Sequence, residues 1–559
     1  MLEGPGIPPA SKTSHGLQWR QSDSDAYETT MDATTYPELA DEALRRKLER
    51  LAAGGRPRVL DLFSGAGGIS LGFHRAGFQI DGALEIEPLP ALTHALNFHG
   101  GNPDLLMIHA QPRDMTRVEP DQLAADLGLG PVPDAVDVLV GGPPCQAYAR
   151  VGRAKLREIA DHPEAYKVDP RGNLFLRYLV YVKAFRPLAL LMENVPDILH
   201  YGGHNVIEEM VEALDVLGYS ARYSLINSAF HGVPQMRDRV FLIAYRRELD
   251  VKVRFPKATN HMILPPGYAG TRAVALRHVD LLGGAAYVWP DLGDKSLPGP
   301  VTAEDAIGDL LPIKGTSVRR GARKFTDPVR YRGETPGTPY QAAMRQWAGF
   351  ESEGGVRDHV IRYLPRDHLV FAEMRQGAEY PEAHETAIRI AQREAQRLGI
   401  SAGTKAYQTL YASIVPPYDV SKFPNRWWKL RPDWPVRTLM AHIGKDTYSH
   451  IHWDARQART ISVREAARLQ SFPDGFVFQG AMNAAFRQIG NAVPPLMAAA
   501  VAEVIQDTLK EAAARLAPAG TYAVFSSSGR STYSSAPHVN ALMATENPST
   551  RTPLSSRTL

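Results

Sequence analysis

The sequence predicts an α/β protein built on a doubly wound parallel sheet, with a second, irregular domain inserted before the chain returns to the first. Three observations carry this expectation. Short apolar runs of strand length alternate with segments of helical periodicity from Arg58 to Ala244. The first of these runs enters a glycine-rich turn and then a helix. From about Tyr245 to Ala458 the rhythm changes to scattered Pro, Gly, aromatic and Arg residues, before helical patterns return at Ser462–Gln470 and Pro495–Arg515. With 559 residues, 44% hydrophobic and 22% charged, the chain is long enough to bury a large core and is neither wholly disordered nor fibrous. Lys and Arg number 63 against 60 Asp and Glu, a net charge of +3, so any surface for nucleic acid must be local.

In chain order, Arg58–Phe63 reads as a strand, Ile69–Ala76 as a helix, Gln79–Leu84 as a second strand and Pro90–Phe98 as a second helix, a βαβ opening. Val136–Val140, Leu188–Met192 and Arg239–Ala244 are further strand-length runs, and Gly172–Phe185 reads as a helix. The expected division is a largely disordered tail over 1–55, the sheet domain over 56–245, the inserted domain over 246–458, a C-terminal return over 459–518 and a Ser/Thr-rich disordered tail over 519–559. The single cysteine excludes an internal disulfide and a multi-cysteine zinc site and fits a cytoplasmic setting. No basic start followed by an apolar run opens the chain, and no uncharged apolar stretch of about 18 residues is found, so neither export nor a membrane is expected.

Three segments carry chemistry. Val59-Leu60-Asp61-Leu62-Phe63-Ser64-Gly65-Ala66-Gly67-Gly68 is a strand entering a glycine turn, and Glu85 lies 20 residues beyond Gly65. Glycines allow a tight turn and close backbone approach, while an acid at the end of the second strand can accept ribose hydroxyls. Ser70 stands where the third fingerprint glycine would be, which favours a nucleoside over a pyrophosphate cofactor. The second segment, Gly141-Gly142-Pro143-Pro144-Cys145-Gln146, follows a strand at the edge where such sheets place their active loops. A free cysteine is more often a buried apolar group than a nucleophile, but a rigid Gly/Pro loop is a poor place to bury one. Arg150, Arg153, Lys155 and Arg157 follow it in sequence, and cations favour a thiolate. The third segment, Leu190-Leu191-Met192-Glu193-Asn194-Val195, puts a carboxylate on the same rim, where it can serve as a general acid.

These blocks resemble the DNA cytosine-5 methyltransferase family. The resemblance extends through Gln235-Met236-Arg237-Asp238-Arg239, Arg464 to Pro473, and Gly490-Asn491-Ala492-Val493-Pro494-Pro495, in the family's order. It implies a Rossmann-like sheet that binds S-adenosyl-L-methionine, together with a target-recognition domain over 246–458. By the same resemblance Phe63 and Ile86 flank the adenine, Glu85 holds the ribose, the backbone of Gly65, Ala66 and Gly67 lies near the amino-acid portion, and Ser64 belongs to the same cofactor-binding turn. Leu174 and Asn491 match further cofactor contacts. Cys145 adds to C6 of a flipped-out cytosine in double-stranded DNA, Glu193 handles N3 and the exocyclic amine, Arg239 binds O2 and Arg237 supports it. The loop from Gln146 to Asp169 is the expected lid.

Gln111 or Asp114 is the acidic-position candidate near the adenine amine, and Ala149 departs from the family's Ser. The basic run Lys314, Arg319, Arg320, Arg323, Lys324, Arg330 and Arg332 is either solvated surface or a DNA contact. Trp427 and Trp428 are expected in a core. A role in restriction-modification or phage defence, with cognate partner proteins, follows from the resemblance alone. The alternatives are the same chemistry on tRNA, disfavoured by the 225 positions between Arg239 and Arg464, and a non-catalytic DNA-binding relative.

Overall fold

The computed structural model describes residues 42–144, 174–201, 204–281, 284–317, 328–352 and 354–517. Its first helix, α1 (Glu42–Ala52), buries Ala43, Leu44, Lys47, Leu48 and Leu51, a single face at helical spacing. The expected tail over 1–55 is therefore too long, because this stripe has a surface to cover. Lys47 Nζ donates to the carbonyls of Phe185 (3.1 Å) and Arg186 (3.0 Å), and burial brings its pKa down to about 7.

The central sheet contains β1 (Arg58–Leu62), β2 (Gln79–Leu84), β3 (Val138–Gly141), β4 (Ala189–Asn194), β5 (Tyr219–Asn227) and β7 (Asp238–Arg246), in the order β2-β1-β3-β4-β7-β5. The short β6 (Gln235–Met236) precedes β7. The β2-β1-β3-β4 pairings are parallel, as the alternation predicts, but β7 runs antiparallel to both β4 and β5. A wholly parallel sheet is thus not what forms. The ten residues between Asn227 and Asp238 are too few for a helical crossover, so the chain doubles back. Strand β5 has no continuous apolar run; Tyr219, Ala221, Tyr223 and Leu225 alternate with Ser220, Arg222 and Ser224, the period-two pattern of a strand.

Helices cover both faces. α2 (Gly68–Arg75) follows β1 and α3 (Pro88–His99) follows β2, while α4 (Leu174–Phe185) and α5 (Val206–Val216) join one core with β1, β3, β4 and β7. Further on lie α6 (Pro266–Leu281), α7 (Tyr380–Arg397), α8 (Lys405–Ile414), the two-residue strand β8 (Val436–Arg437), α9 (Val463–Leu469), α10 (Met482–Asn491) and α11 (Pro495–Leu516). β8 pairs in parallel with β6. α11 returns to the sheet and lies on α2 so closely that a Cβ on Gly72 would sit 2.5 Å from that of Ala498. Within Met482–Leu516 one helical window is apolar and long enough to cross a membrane, which qualifies the expectation of no such stretch, but most of it is buried as in a core helix.

The segment expected to be irregular is more regular than its composition suggested. α7 spans 18 residues and buries Tyr380, Ala383, Ala387, Ile390 and Ala391 on one face. Its exposed face carries Glu385, Arg389, Gln392, Arg393 and Gln396, so the helical period is present in the sequence. A boundary at 458 also cuts through a core, because Ala303, Ile307, Tyr340 and Trp347 pack with Ala466, Leu469, Phe472 and Ile489. A separate core joins α7 to Phe371, Ile414, Trp427 and Tyr448.

Candidate active site

The carboxyl ends of β1 to β4 open into a cleft of about 2390 Å³, larger than the few hundred to a thousand of a small-molecule pocket. At one end the chain leaves β1 through Phe63, a non-glycine residue at φ 61°, and the Ser64 amide donates to Leu84 O at 3.2 Å. The Gly65 and Glu87 amides each donate to the Glu85 carboxylate at 2.8 Å, one to each oxygen. These bonds fix the acid and leave lone pairs toward the cleft. Burial raises the Glu85 pKa, with the amides opposing. Beside it Ile86 is 58% exposed, an apolar side chain held open in the cleft wall. Phe63, Ser64, Gly65, Ala66, Glu85, Ile86, Leu174 and Asn491 all line the cleft.

Gly67 does not. It sits at φ 98°, and a Cβ there would lie 2.7 Å from the Phe98 ring, so this glycine serves the turn and its packing on α3. The lining continues through Gly68, where a Cβ would come within 2.3 Å of Val493 O. Asp114 lines the cleft and Gln111 does not. The Asp114 carboxylate accepts the Thr116 amide (2.9 Å) and hydroxyl (2.7 Å), while the Arg113 amide donates to Glu85 O at 2.7 Å, which draws that segment against the acid.

At the other end, Glu193 emerges from β4 and Arg239 from β7, strands joined by the antiparallel register. Arg239 Nε lies 2.8 Å from Glu193 Oε1, with 11% and 13% of the two side chains exposed. Burial raises the Glu193 pKa against the pull of Arg239 and Arg237, so it keeps a proton to higher pH than an ordinary carboxyl. Gly142 lets the carboxylate lie against the Gly-Pro-Pro loop, since a Cβ there would be 2.9 Å from Glu193 Oε2. Asn194 Nδ2 donates to Pro143 O at 2.8 Å and ties the loop to the same strand. Cys145 follows Pro144 directly and lies outside the described residues, as do the lid from Gln146 to Asp169 and Arg319, Arg320, Arg323 and Lys324.

Arg237 lines the cleft behind Arg239 and is held by backbone carbonyls. Its Nη1 and Nη2 donate to Leu439 O (2.7 Å) and Gly490 O (3.2 Å), so it anchors two distant segments to the sheet behind Arg239 and positions the site. The inserted segment supplies the other wall of the cleft, as expected of a target-recognition domain, through residues that the sequence did not single out as cleft-lining. There Arg437 pairs with Glu379 and lies 4.6 Å over the Trp428 ring, and Arg375, Arg431 and Arg487 add further cations. Trp427 and Trp428 are buried, as core residues would be. The described members of the basic run, Lys314, Arg330 and Arg332, are exposed and lie outside the cleft lining.

The fold is that of a Rossmann-like methyltransferase, and its cleft holds the Glu85 turn at one end and the Glu193–Arg239 pair at the other. A family model described as C-5 cytosine-specific DNA methylase matches residues 57–507; the chain belongs to that family and is a DNA cytosine-5 methyltransferase. It is 35% identical over 464 residues to "Putative type II methyltransferase M.OihORF3336P" of Oceanobacillus iheyensis, covering 81% of this chain and 96% of that one. It is 32% identical over 474 residues to "Type II methyltransferase M.AgeI" of Thalassovita gelatinovora, covering 80% of this chain and 99% of that one.

Proposed function

We propose that the chain methylates C5 of a flipped-out cytosine in double-stranded DNA through a covalent Cys145 adduct, with S-adenosyl-L-methionine as cofactor, in a cytoplasmic type II restriction-modification or defence setting. The observation that carries this is the Glu193–Arg239 pair at 2.8 Å, in one cleft with the Glu85 turn and at the foot of the loop leading to Cys145. The residues at the Glu85 end suit the cofactor: a fixed acid with free lone pairs for ribose hydroxyls, Ile86 and Phe63 as apolar surfaces for a flat ring, and the open backbone of Ser64 and Gly65. S-adenosyl-L-methionine supplies an electrophilic methyl group there.

The chain's own residues handle the ring. The Cys145 thiolate forms a bond to C6, and the electron pair displaced toward N3 and O2 is met by the Glu193 proton and the Arg239 guanidinium. This loads C5 with electron density. After C5 is methylated, a base removes its proton, the S–C6 bond breaks, and the thiolate returns. A target inside a stacked duplex exposes no ring face, hence the flipped base. Arg375, Arg431 and Arg437 on the opposite wall suit phosphates and base edges.

The test is base-resolution bisulfite sequencing of DNA from a methylation-free bacterial host expressing the chain or its Cys145→Ser variant. Methylated cytosines in one recurring context, absent with the variant, are expected. Undiminished methylation by Cys145→Ser would overturn the nucleophile, and an unmethylated genome beside soluble wild-type protein would move the substrate to tRNA or the chain to a silent binder.

A further inference from the structure

Helix α6 lies outside the blocks that carry the family resemblance, yet one of its faces reaches both walls of the cleft. Tyr268 and Arg272 are four residues apart and so share that face. The Tyr268 hydroxyl accepts the Thr438 amide at 3.1 Å, at the end of β8. Arg272 Nη1 donates to Asp238 Oδ1 at 2.7 Å, and its Nη2 donates to Leu225 O. Only 11% of the Arg272 side chain and 10% of Asp238 are exposed.

Asp238 is the immediate neighbour of Arg239, whose Nη1 donates to the Asp238 carbonyl at 2.7 Å. The four side chains therefore alternate in sign: Arg272, Asp238, Arg239, Glu193. Arg239 faces three carboxylates, those of Glu193, Asp238 and Asp197. Asp238 faces Arg272 and Arg239, and Glu193 faces Arg239 and Arg237. Arg237 gives its Nη groups to backbone carbonyls, so the cation in contact with Glu193 is Arg239. An acid as buried as Asp238, left without Arg272, has Arg239 as its remaining cation.

We propose that Arg272 is a positioning residue for the methyl-transfer site: by occupying the Asp238 carboxylate it leaves the Arg239 guanidinium to Glu193 and thereby sets the proton affinity of that acid. The inference rests on the proposed role of Glu193. Its physical content is the charge of Asp238 acting on a guanidinium that Glu193 also holds: Arg239 bonds the Asp238 backbone carbonyl and feels its carboxylate charge, so the ion pair with Arg272 decides how strongly that charge draws on Arg239. Removing Arg272 turns Arg239 toward Asp238, weakens its hold on Glu193, and raises the pH at which Glu193 loses its proton.

The experiment measures single-turnover transfer of radiolabelled methyl groups from S-adenosyl-L-methionine to genomic DNA of a methylation-free bacterium, across a pH series. It uses wild-type protein, Arg272→Met, Arg272→Lys and the double variant Arg272→Met with Asp238→Asn. Melting temperature and cofactor affinity of each report folding. Arg272→Met is expected to be slower by about tenfold, as for a small misplacement of a reacting group, with the limb set by Glu193 displaced upward by about one unit, as for loss of a neighbouring opposite charge. Arg272→Lys keeps the limb in place because its ammonium still neutralises Asp238, and the double variant returns the limb because the competing anion is gone. A limb that does not move in Arg272→Met, with rate and melting temperature falling together, would make the helix merely structural and overturn the proposal; so would an equal displacement in the double variant. Wild-type protein that transfers no methyl group in the same assay would instead overturn the functional reading on which the inference depends.

Discussion

Two buried carboxylates paired with arginine behave in opposite ways in this molecule. Glu465, at the start of α9, meets Arg459 with both oxygens, at 2.6 and 2.7 Å, and also accepts the Ser462 amide at 2.7 Å. Its pKa is driven well below the ordinary carboxylate range by Arg459, even though burial pushes the other way. Glu193 meets one guanidinium nitrogen, and burial wins, so its pKa rises. Full satisfaction by donors makes a fixed charge that holds a fold together, and partial satisfaction makes a group able to carry a proton at the cleft. The first belongs to a core shared between distant segments, the second to the open rim of the sheet.

The widest separation between the two sites comes from exchanging each charge for a neutral group. Glu193→Gln should lower single-turnover methyl transfer about 10²- to 10⁴-fold, the range for a lost general acid, with a melting temperature close to wild type. A stability loss comparable to that of an Arg459 variant would erase the distinction. Arg459→Met should do the reverse: about 3–5 kcal/mol of stability lost in denaturant titration, the range for a buried charge stripped of its partner. Unchanged stability there would mean that Glu465 simply takes up a proton.

The pH dependence of stability sharpens the contrast. Glu465 has a folded pKa below its ordinary value of 4.5, so it contributes stability that is present above that value and lost as pH falls below it. Glu193, with its folded pKa raised, has the opposite sign: its ionisation disfavours the fold as pH rises above the ordinary value. Urea midpoints measured from neutral to acid pH should therefore fall below about 4.5 for the wild type and fall less steeply for Glu465→Gln, with Glu193→Gln leaving that acid slope intact. The smallest effect expected is at the far end of the cleft, where Glu85→Ala should weaken S-adenosyl-L-methionine binding by about tenfold, one hydrogen-bonded charge's worth, read by calorimetry. Equal affinity would take Glu85 away from the ribose.

The residues of the site were legible in the sequence where local structure places them. Phe63, Ser64, Gly65 and Glu85 stand at the ends of two strands with clear burial patterns, and Glu193 at the end of a third, so each was found by position as much as by type. Gly67 was legible as a glycine but not for its use, since the ring it accommodates belongs to Phe98 on another helix. Arg237 was legible as a basic residue of the site, yet its partners, Leu439 and Gly490, lie more than two hundred positions away. Asp114 became distinguishable from Gln111 only when one of them faced the cleft. The pair Arg437–Glu379 and the helix that carries Arg272 left no pattern at all, because neither depends on spacing along its own segment.

By itself the sequence determined the parallel half of the sheet, the glycine turn with its acid, and the chemical inventory of the rim, because buried strands and tight turns impose periodicity and residue type on their own neighbours. Tertiary structure alone decided the antiparallel closure of β7, which side chains face the cleft from the inserted segment, and which arginine serves which carboxylate. Those outcomes depend on distance and desolvation between groups carried by different elements, and the energy of a charge is set by what surrounds it in space.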